Sequence, residues 1–157
     1  MRIATLASIL AATALPAPAP AQAEPTLPPG VVEACFADTP RGRIDPDCIG
    51  AAANQCQEAP GGSGTIGIGG CLSAEHDAWD RLLNEEWNQV RGVFKDDQTA
   101  SDSLLKAQRA WIAWRDAECD FQYDRYGGGS MRSIAGTGCR MTATARRTFE
   151  LRDMREW

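Results

Sequence analysis

Residues 104–119, LLKAQRAWIAWRDAEC, predict the helix around which the fold is built. When successive residues are placed 100° apart around a helix axis, the apolar side chains of this stretch and of the next turn fall into two separate stripes. One stripe contains Ala107, Ala110, Trp111, Trp114 and Phe121, and the other contains Leu105, Ile112, Cys119 and Tyr123. Because each apolar stripe has to be buried against a neighbour, we expect this helix to lie in the middle of a bundle.

Polar side chains interrupt the apolar faces of the predicted helices. Gln108 and Arg115 lie inside the apolar arc of the central helix, next to Trp111. Glu86 lies inside the single broad apolar face of a helix predicted over residues 72–95. A buried charge without a partner costs several kcal/mol. We therefore expect Glu86 and Arg115 to pair, in a structural seam made of Glu86, Gln108, Trp111 and Arg115.

The central helix is flanked in the sequence by two other long helices. A short polar connection, residues 96–100, joins it to the helix over residues 72–95, so these two helices should be antiparallel neighbours. Residues 127–130, Gly-Gly-Gly-Ser, end the central helix, because glycine supplies the left-handed residue that many helix ends require. Residues 131–138 then lead to a third helix over residues 139–155.

Cysteine, glycine and proline are concentrated before the first long helix. We expect a short helix over residues 49–55 with Asp45 as its cap, followed by a flexible loop from Pro60 to Gly70. Three glycines of this loop form a formal G-x-G-x-x-G pattern, Gly62, Gly64 and Gly67. A dinucleotide site needs that pattern between a strand and a helix of a parallel sheet. Nothing in this chain alternates like a βαβ unit, so the pattern predicts a loop and no cofactor.

The first 23 residues have the three parts of a secretory signal peptide: a basic residue at Arg2, an apolar run, and a small-residue cleavage site ending at Ala23. The apolar run is shorter than the roughly 20 residues that span a bilayer. We expect cleavage near Ala23 and a periplasmic or secreted mature chain without membrane insertion. Loss of Arg2, the only charged residue of the signal, changes the formal net charge from −5 to −6, which argues against nucleic acid as a partner.

All six cysteines follow the signal peptide, and an even number in an exported chain predicts three disulfides. No Cys-x-x-Cys occurs and His76 is the only histidine, which argues against a redox pair or a Cys/His zinc site. The order of the elements favours three pairs, Cys35 with Cys48, Cys56 with Cys71, and Cys119 with Cys139. Cys71 with Cys119 remains an alternative, because both would lie at the same end of the bundle.

The predicted architecture is therefore all-α: a small three-helix antiparallel bundle over residues 71–157, with a disulfide-stapled, loop-rich extension over residues 24–70 and a signal peptide over residues 1–23. No catalytic arrangement accompanies it. His76 lies between two carboxylates in the first long helix, and no Gly-x-Ser-x-Gly is present. We expect a protein that is not an enzyme and that has no cofactor or metal.

The motifs of the three helices resemble those of the LprI-like lysozyme-inhibitor domain family, over about residues 71–152. The resemblance is carried by Cys71, Asp80, Leu83-Asn84, Trp87, Leu105, Gln108-Arg109-Ala110-Trp111, Arg115-Asp116, Cys119, Gly128-Gly129-Ser130, Cys139, Thr144, Arg147 and Leu151. It implies a small, helical, disulfide-bonded, exported domain. For the member that names the family it also implies inhibition of lysozyme.

The resulting functional hypothesis is an exported binding protein that inhibits lysozyme, a basic cell-wall muramidase. The alternative is a periplasmic interaction or structural module with a different protein partner and no effect on lysozyme. The acidic charge of the chain suits a basic partner. Two glycine-rich loops are the candidate contact regions, with residues Gly61, Gly62, Ser63 and Gly64 in the first and Gly127, Gly128, Gly129 and Ser130 in the second.

Overall fold

The computed structural model describes residues 26–156, which form five α-helices and a final turn of 3₁₀ helix. The elements are α1 (Val31–Asp38), α2 (Ala51–Gln57), α3 (Thr65–Val93), α4 (Gln98–Asp124), α5 (Met131–Asp153) and the 3₁₀ turn Met154–Glu156. No strand occurs within residues 26–156, so the all-α prediction is confirmed. The helix count is five and not three, because the N-terminal extension contributes α1 and α2. The predicted signal peptide lies outside the described residues.

Two long helices begin earlier than the sequence predicts. Helix α3 starts at Thr65 and not Leu72, and α5 starts at Met131 and not Cys139. The glycines of these two segments are points of close packing. A Cβ atom on Gly67 would lie 2.0 Å from the carbonyl oxygen of Gly61, and one on Gly136 would lie 3.1 Å from Cβ of Tyr123. Prediction from local breaker residues therefore mistook packing contacts for helix ends.

Helix α5 lies in the middle of the three long helices, and the prediction that α4 is central is wrong. Helix α5 packs on both α3 and α4. It buries nine residues, Gly136, Met141, Thr144, Ala145, Arg147, Thr148, Phe149, Leu151 and Arg152, whereas α4 buries two, Gln108 and Cys119. Trp114 and Phe121, expected to face a neighbour, are 56% and 59% exposed.

The buried face of α5 reads as only moderately apolar because it contains small and hydroxylated residues. These residues allow helices to approach closely, and the Thr148 hydroxyl is satisfied by donating to the carbonyl oxygen of Thr144 at 2.9 Å. Thr148 also reaches the carbonyl oxygen of Trp79 on α3, while Arg147 reaches Gln108 on α4. A hydropathy pattern underestimates how much such a face is buried, because the face packs closely through the small size of its residues and not through their hydrophobicity.

Helices α3 and α5 run parallel to each other, and α4 runs antiparallel to both. Trp79 of α3 contacts Thr148 of α5, and Glu86, further along α3, contacts Arg155 in the turn after α5, so the residue numbers increase together. Gln108 of α4 contacts Arg147 of α5, whereas Cys119, further along α4, is bonded to the earlier residue Cys139, so the residue numbers change in opposite directions. The first turns of α3 and α5 therefore lie at the same end of the bundle.

The two short helices of the extension complete the hydrophobic core. Val32 and Cys35 of α1 and Ala52 of α2 are buried in one cluster with residues of α3 and α5, Ala78, Trp79, Met141, Ala145 and Phe149. The Phe149 ring lies 5.4 Å from the Trp79 ring and 5.6 Å from the Phe36 ring. Aromatic contacts at this distance add to the free energy gained by burial.

The three disulfides pair as favoured by the sequence: Cys35 with Cys48, Cys56 with Cys71, and Cys119 with Cys139. The alternative of Cys71 with Cys119 is excluded by this pairing. The third disulfide spans 20 residues and joins α4 to α5. In the chain-entropy model a loop of that size contributes about 3 kcal/mol to stability.

A buried carboxylate joins α2 to α3. Glu75 is fully buried and accepts hydrogen bonds from the amide of Gly50 at 2.7 Å, the amide of Ala53 at 2.6 Å and Nε1 of Trp79 at 3.0 Å. Helix α2 has no cap of its own at Gly50, so Glu75 supplies the acceptor that its free amides require.

Asp45, predicted to cap the second helix, lies elsewhere. Its carboxylate binds the guanidinium of Arg146 on α5 at 2.7 Å and 2.9 Å. The hydrogen bond from Arg146, reinforced by the charge of that residue, lowers the pKa of Asp45 below the ordinary aspartate value. The capping prediction is therefore wrong, because it considered only acceptors close in sequence.

The predicted pairing of Glu86 with Arg115 is also wrong. Glu86 faces the C-terminal turn and pairs with Arg155 at 3.0 Å. Arg115 binds the adjacent carboxylate of Asp116 at 2.8 Å and stacks over the Trp111 ring at 5.1 Å. The two residues face different neighbours, because α5 and the turn after it lie where the prediction placed α4.

Replacing Glu86 with glutamine is expected to change how stability depends on pH. Burial raises the pKa of Glu86 above the ordinary value of 4.5, and Arg155 only partly offsets this. The folded protein therefore holds the Glu86 proton more tightly than the unfolded chain does. Consequently, the unfolding free energy of the natural protein should fall, relative to that of Glu86→Gln, as pH rises from 4.5 through the raised folded value.

Urea unfolding of both proteins at a series of pH values from about 4 to about 7 measures this difference. Asp96→Asn, at an exposed carboxylate just beyond the end of α3, is the matched control and should leave the pH dependence unchanged. Parallel curves for the natural protein and Glu86→Gln would contradict the prediction.

Candidate interaction surface

The second predicted loop is a compact turn between α4 and α5. All of residues 127–130 are exposed. The amide of Gly127 donates to the carbonyl oxygen of Asp124 at 2.9 Å, and the amide of Gly129 donates to that of Tyr126 at 3.2 Å. Gly127 has a φ of 56°, in the left-handed region that glycine adopts without strain. The turn is therefore short and ordered by its own backbone.

The first predicted loop is smaller than expected. Residues 65–70 are helical, and Gly62 is buried against the backbone of Cys56 and Gln57. Gly61 is exposed on this packed turn, and residues 63–66 form a continuous exposed run after it. Ile66, in the first turn of α3, is 93% exposed. The G-x-G-x-x-G pattern is explained by close backbone packing, in which Gly67 contacts Gly61 and Gly62.

Residues 63–66 lead into and begin α3, and residues 127–130 lead into α5. Because α3 and α5 run parallel, these two segments lie at the same end of the bundle. We call residues 63–66 together with residues 127–130 the loop end. A disulfide encloses each segment, because Cys56–Cys71 closes the chain around the first and Cys119–Cys139 closes it around the second. Tyr126 and Met131, beside the second segment, are 42% and 50% exposed. The loop end thus presents small and apolar groups from a cross-linked base.

Charged side chains near the loop end are held by neighbours. Arg132 lies 3.7 Å from the carboxylate of Asp124 and stacks over the Tyr123 ring at 3.8 Å. Arg140 contacts the carboxylate of Asp120 at 2.5 Å. These pairs join α4 to α5 just behind the turn, so they restrict its motion. An ordered surface of this kind suits recognition, because little side-chain entropy is lost on binding.

The polar seam of α4 is a structural network. The Gln108 side chain accepts a hydrogen bond from Arg147 at 3.0 Å, and Arg147 also binds Glu150 at 2.7 Å. The Arg147 guanidinium lies 5.7 Å from the centre of the Trp111 ring. Gln108 and Arg147 are buried, so this cluster stabilises the contact between α4 and α5. The link that Arg147 makes between α5 and α4 was not predicted from the sequence. The available signal was a basic residue among small residues on the inner face of α5.

Comparison with known proteins places these features in a family. The family model described as "Lysozyme inhibitor LprI" matches residues 56–151. The chain belongs to the LprI family. An uncharacterised protein of Rhizobium meliloti (strain 1021) is 29% identical over 123 residues, which cover 69% of this chain and 88% of the relative. No solved structure matches the chain.

The LprI match includes both segments of the loop end and begins at Cys56, which lies before the predicted start of the helical domain. It also includes the cluster of buried Gln108, half-buried Trp111 and buried Arg147. These three residues of the family motif therefore act in packing α4 on α5. The exposed parts of the LprI region are the ones available to a partner.

His76 and the possible metal ligands were two features of interest in the sequence of this LprI chain. Nδ1 of His76 contacts the carboxylate of Asp77 at 3.3 Å. Within residues 26–156, no group of three or more His, Cys, Asp or Glu side chains is placed to hold a metal ion. No helix in that range is long and apolar enough to cross a membrane. Three disulfides are typical of exported proteins.

Proposed function

We propose that the mature protein is an exported inhibitor of lysozyme that contacts the enzyme through the loop end. The observation that carries the proposal is the LprI family match, which spans both segments of this surface. The proposed cellular site is the periplasm or the exterior, after removal of the signal peptide near Ala23.

The charge of the chain supports a basic partner. Its formal net charge is −5, or −6 without Arg2. Lysozyme, the proposed partner, is a basic protein. Opposite net charges accelerate the encounter of two proteins, and this acceleration decreases with salt concentration. Charge therefore supports fast association, while the contact residues determine the affinity.

The shape of the loop end supports insertion into a cleft. Ile66 is the most exposed large apolar residue of the described chain, and the turn at residues 127–130 has no bulky side chain. Both segments are closed by disulfides, which restrict the conformations that they can adopt before binding. Pre-ordering of this kind lowers the entropic cost of association.

The mature protein is expected to inhibit lysis of a bacterial cell-wall suspension by lysozyme. Ile66→Arg and Gly128→Arg should each weaken inhibition by about tenfold or more, because each adds a long basic side chain to the contact surface. Neither change disturbs packing: Ile66 is exposed, and a Cβ atom on Gly128 would meet no atom within 4 Å. Residual lysis measured across a range of inhibitor concentrations gives the inhibition constant.

Val93→Arg is the matched control, since Val93 is an exposed apolar residue at the opposite end of α3. It should inhibit as well as the natural protein. No inhibition by the natural protein at a large molar excess would remove lysozyme as the target. Full inhibition by the double variant Ile66→Arg/Gly128→Arg would instead remove the loop end as the contact surface.

A further inference from the structure

The outward face of α4 has an apolar stripe that no element of residues 26–156 covers. Its members are separated alternately by three and four residues and are all exposed: Ala107, Ala110, Trp114, Ala117 and Phe121. Trp114 is 56% exposed and Phe121 is 59% exposed. A spacing of alternately three and four residues is the heptad pattern of helices that pack side by side in a coiled coil. Buried Cys119 and Gln108 lie on the opposite face and contact α5.

We propose that this stripe binds the same stripe of a second copy of the chain, with the two α4 helices antiparallel. In this arrangement Trp114 of one copy lies opposite Ala110 of the other, and Phe121 lies opposite Ser103. Ala107 lies opposite Ala117. Every large side chain therefore meets a small one, which is the alternation that close helix packing requires.

The two-fold symmetry of such a pair makes each of these three contacts occur twice, as in an isologous dimer. A parallel arrangement of the same stripes would place Trp114 against Trp114 and Phe121 against Phe121. The order of large and small residues thus selects the antiparallel direction. It also selects a second copy as the partner, because the stripe complements itself when its direction is reversed.

Charges beside the stripe support the same register. Lys106 lies seven residues before Ala113, and Asp120 lies seven residues after it. When Ala113 is close to the two-fold axis, Lys106 of each copy faces Asp120 of the other, the position at which antiparallel coiled coils place charged pairs. Arg140 contacts the Asp120 carboxylate and orients it, while the Asp120 side chain remains 64% exposed. The register brings opposite charges together on both sides of the axis.

Sedimentation velocity of the mature protein over a range of concentrations tests this proposal. The natural protein should change reversibly from monomer to dimer as concentration rises. Trp114→Arg should raise the dimer dissociation constant by about 30-fold or more, the effect expected for loss of a central aromatic contact. Ile44→Arg, at an exposed apolar residue away from α4, should leave it unchanged.

Charge reversal tests the register. Lys106→Asp and Asp120→Lys should each weaken the dimer several-fold, and the double variant should recover most of the loss because it restores opposite charges across the axis. Asp120→Lys is also made in an Arg140→Gln background, because the new lysine would otherwise be repelled by Arg140 of its own chain. A natural protein that is monomeric at its highest soluble concentration overturns the proposal. A dimer insensitive to Trp114→Arg, or not recovered in the double variant, overturns it as well.

Discussion

Replacing Glu75 with alanine is expected to lower the free energy of unfolding by about 3 to 5 kcal/mol. The substitution removes the acceptor for three buried or partly buried donors, the amides of Gly50 and Ala53 and the indole of Trp79. Each donor left without a partner in the core costs free energy, and the missing side chain leaves a cavity. The loss should be large because Glu75 is fully buried.

The measurement is urea unfolding of the natural protein and the variant under identical conditions. Glu75→Gln should lose less than Glu75→Ala, because an amide keeps one acceptor oxygen while its NH₂ group opposes a backbone donor. Glu85→Ala is the matched control on the exposed side of α3 and should cost less than about 1 kcal/mol. Equal losses for Glu75→Ala and Glu85→Ala would contradict the role assigned to Glu75.

Hydrogen exchange adds a local readout to this prediction. In the natural protein the amide of Ala53 donates to Glu75 at 2.6 Å, so it should exchange slowly. In Glu75→Ala the first turn of α2 should open more readily and this amide should lose protection. Unchanged protection of Ala53 would show that α2 is held by other contacts.

Replacing Arg152 with methionine is expected to cost about 2 to 4 kcal/mol of unfolding free energy. The Arg152 guanidinium donates to the carbonyl oxygens of Phe36, Thr39 and Pro40 at 3.3, 2.8 and 3.2 Å. It also lies 5.0 Å from the centre of the Phe149 ring. Methionine keeps much of the volume but offers no donor, so three carbonyl groups at the end of α1 lose their charged partner.

Arg146→Met is the matched control for this second prediction. Arg146 lies on the same helix and pairs with Asp45, but its side chain is 47% exposed, and an exposed ion pair is worth at most about 1 kcal/mol. Both variants are compared with the natural protein by urea unfolding. A loss in Arg152→Met no larger than that in Arg146→Met would contradict the structural importance of the buried guanidinium.

Much of the fold was predictable because its signals are local or follow chain order. The apolar faces of the three long helices repeat at helical spacing, and short polar or glycine-rich connections separate the helices. The cysteine pairs join segments that are neighbours in the sequence or that end beside one another, such as Cys119 and Cys139. The candidate site was predictable in part: residues 127–130 form an exposed turn, whereas most of residues 60–70 is packed or helical.

The errors have one physical origin, which is contact with groups that are distant in the sequence. Glu75 and Arg152 bind backbone groups, which have no sequence signature, and Arg152 reaches carbonyl groups more than 110 residues away in the chain. Gly67 and Gly136 resemble helix breakers because the atoms that approach them belong to other segments. Trp114 resembles a core residue because a helical wheel identifies an apolar face without identifying what covers it.

The sequence by itself determined the helical class, the three long helices and the family resemblance, because periodicity, chain order and motifs express them directly. It favoured the observed disulfide pairing, and the structure excluded the alternative. Only the tertiary structure decided that α5 and not α4 is central, that Glu75 caps α2, and that Trp114 and Phe121 face outward. These outcomes depend on how closely two surfaces can approach. The small residues of α5 allow contact on two sides, which leaves the outer stripe of α4 open to a partner.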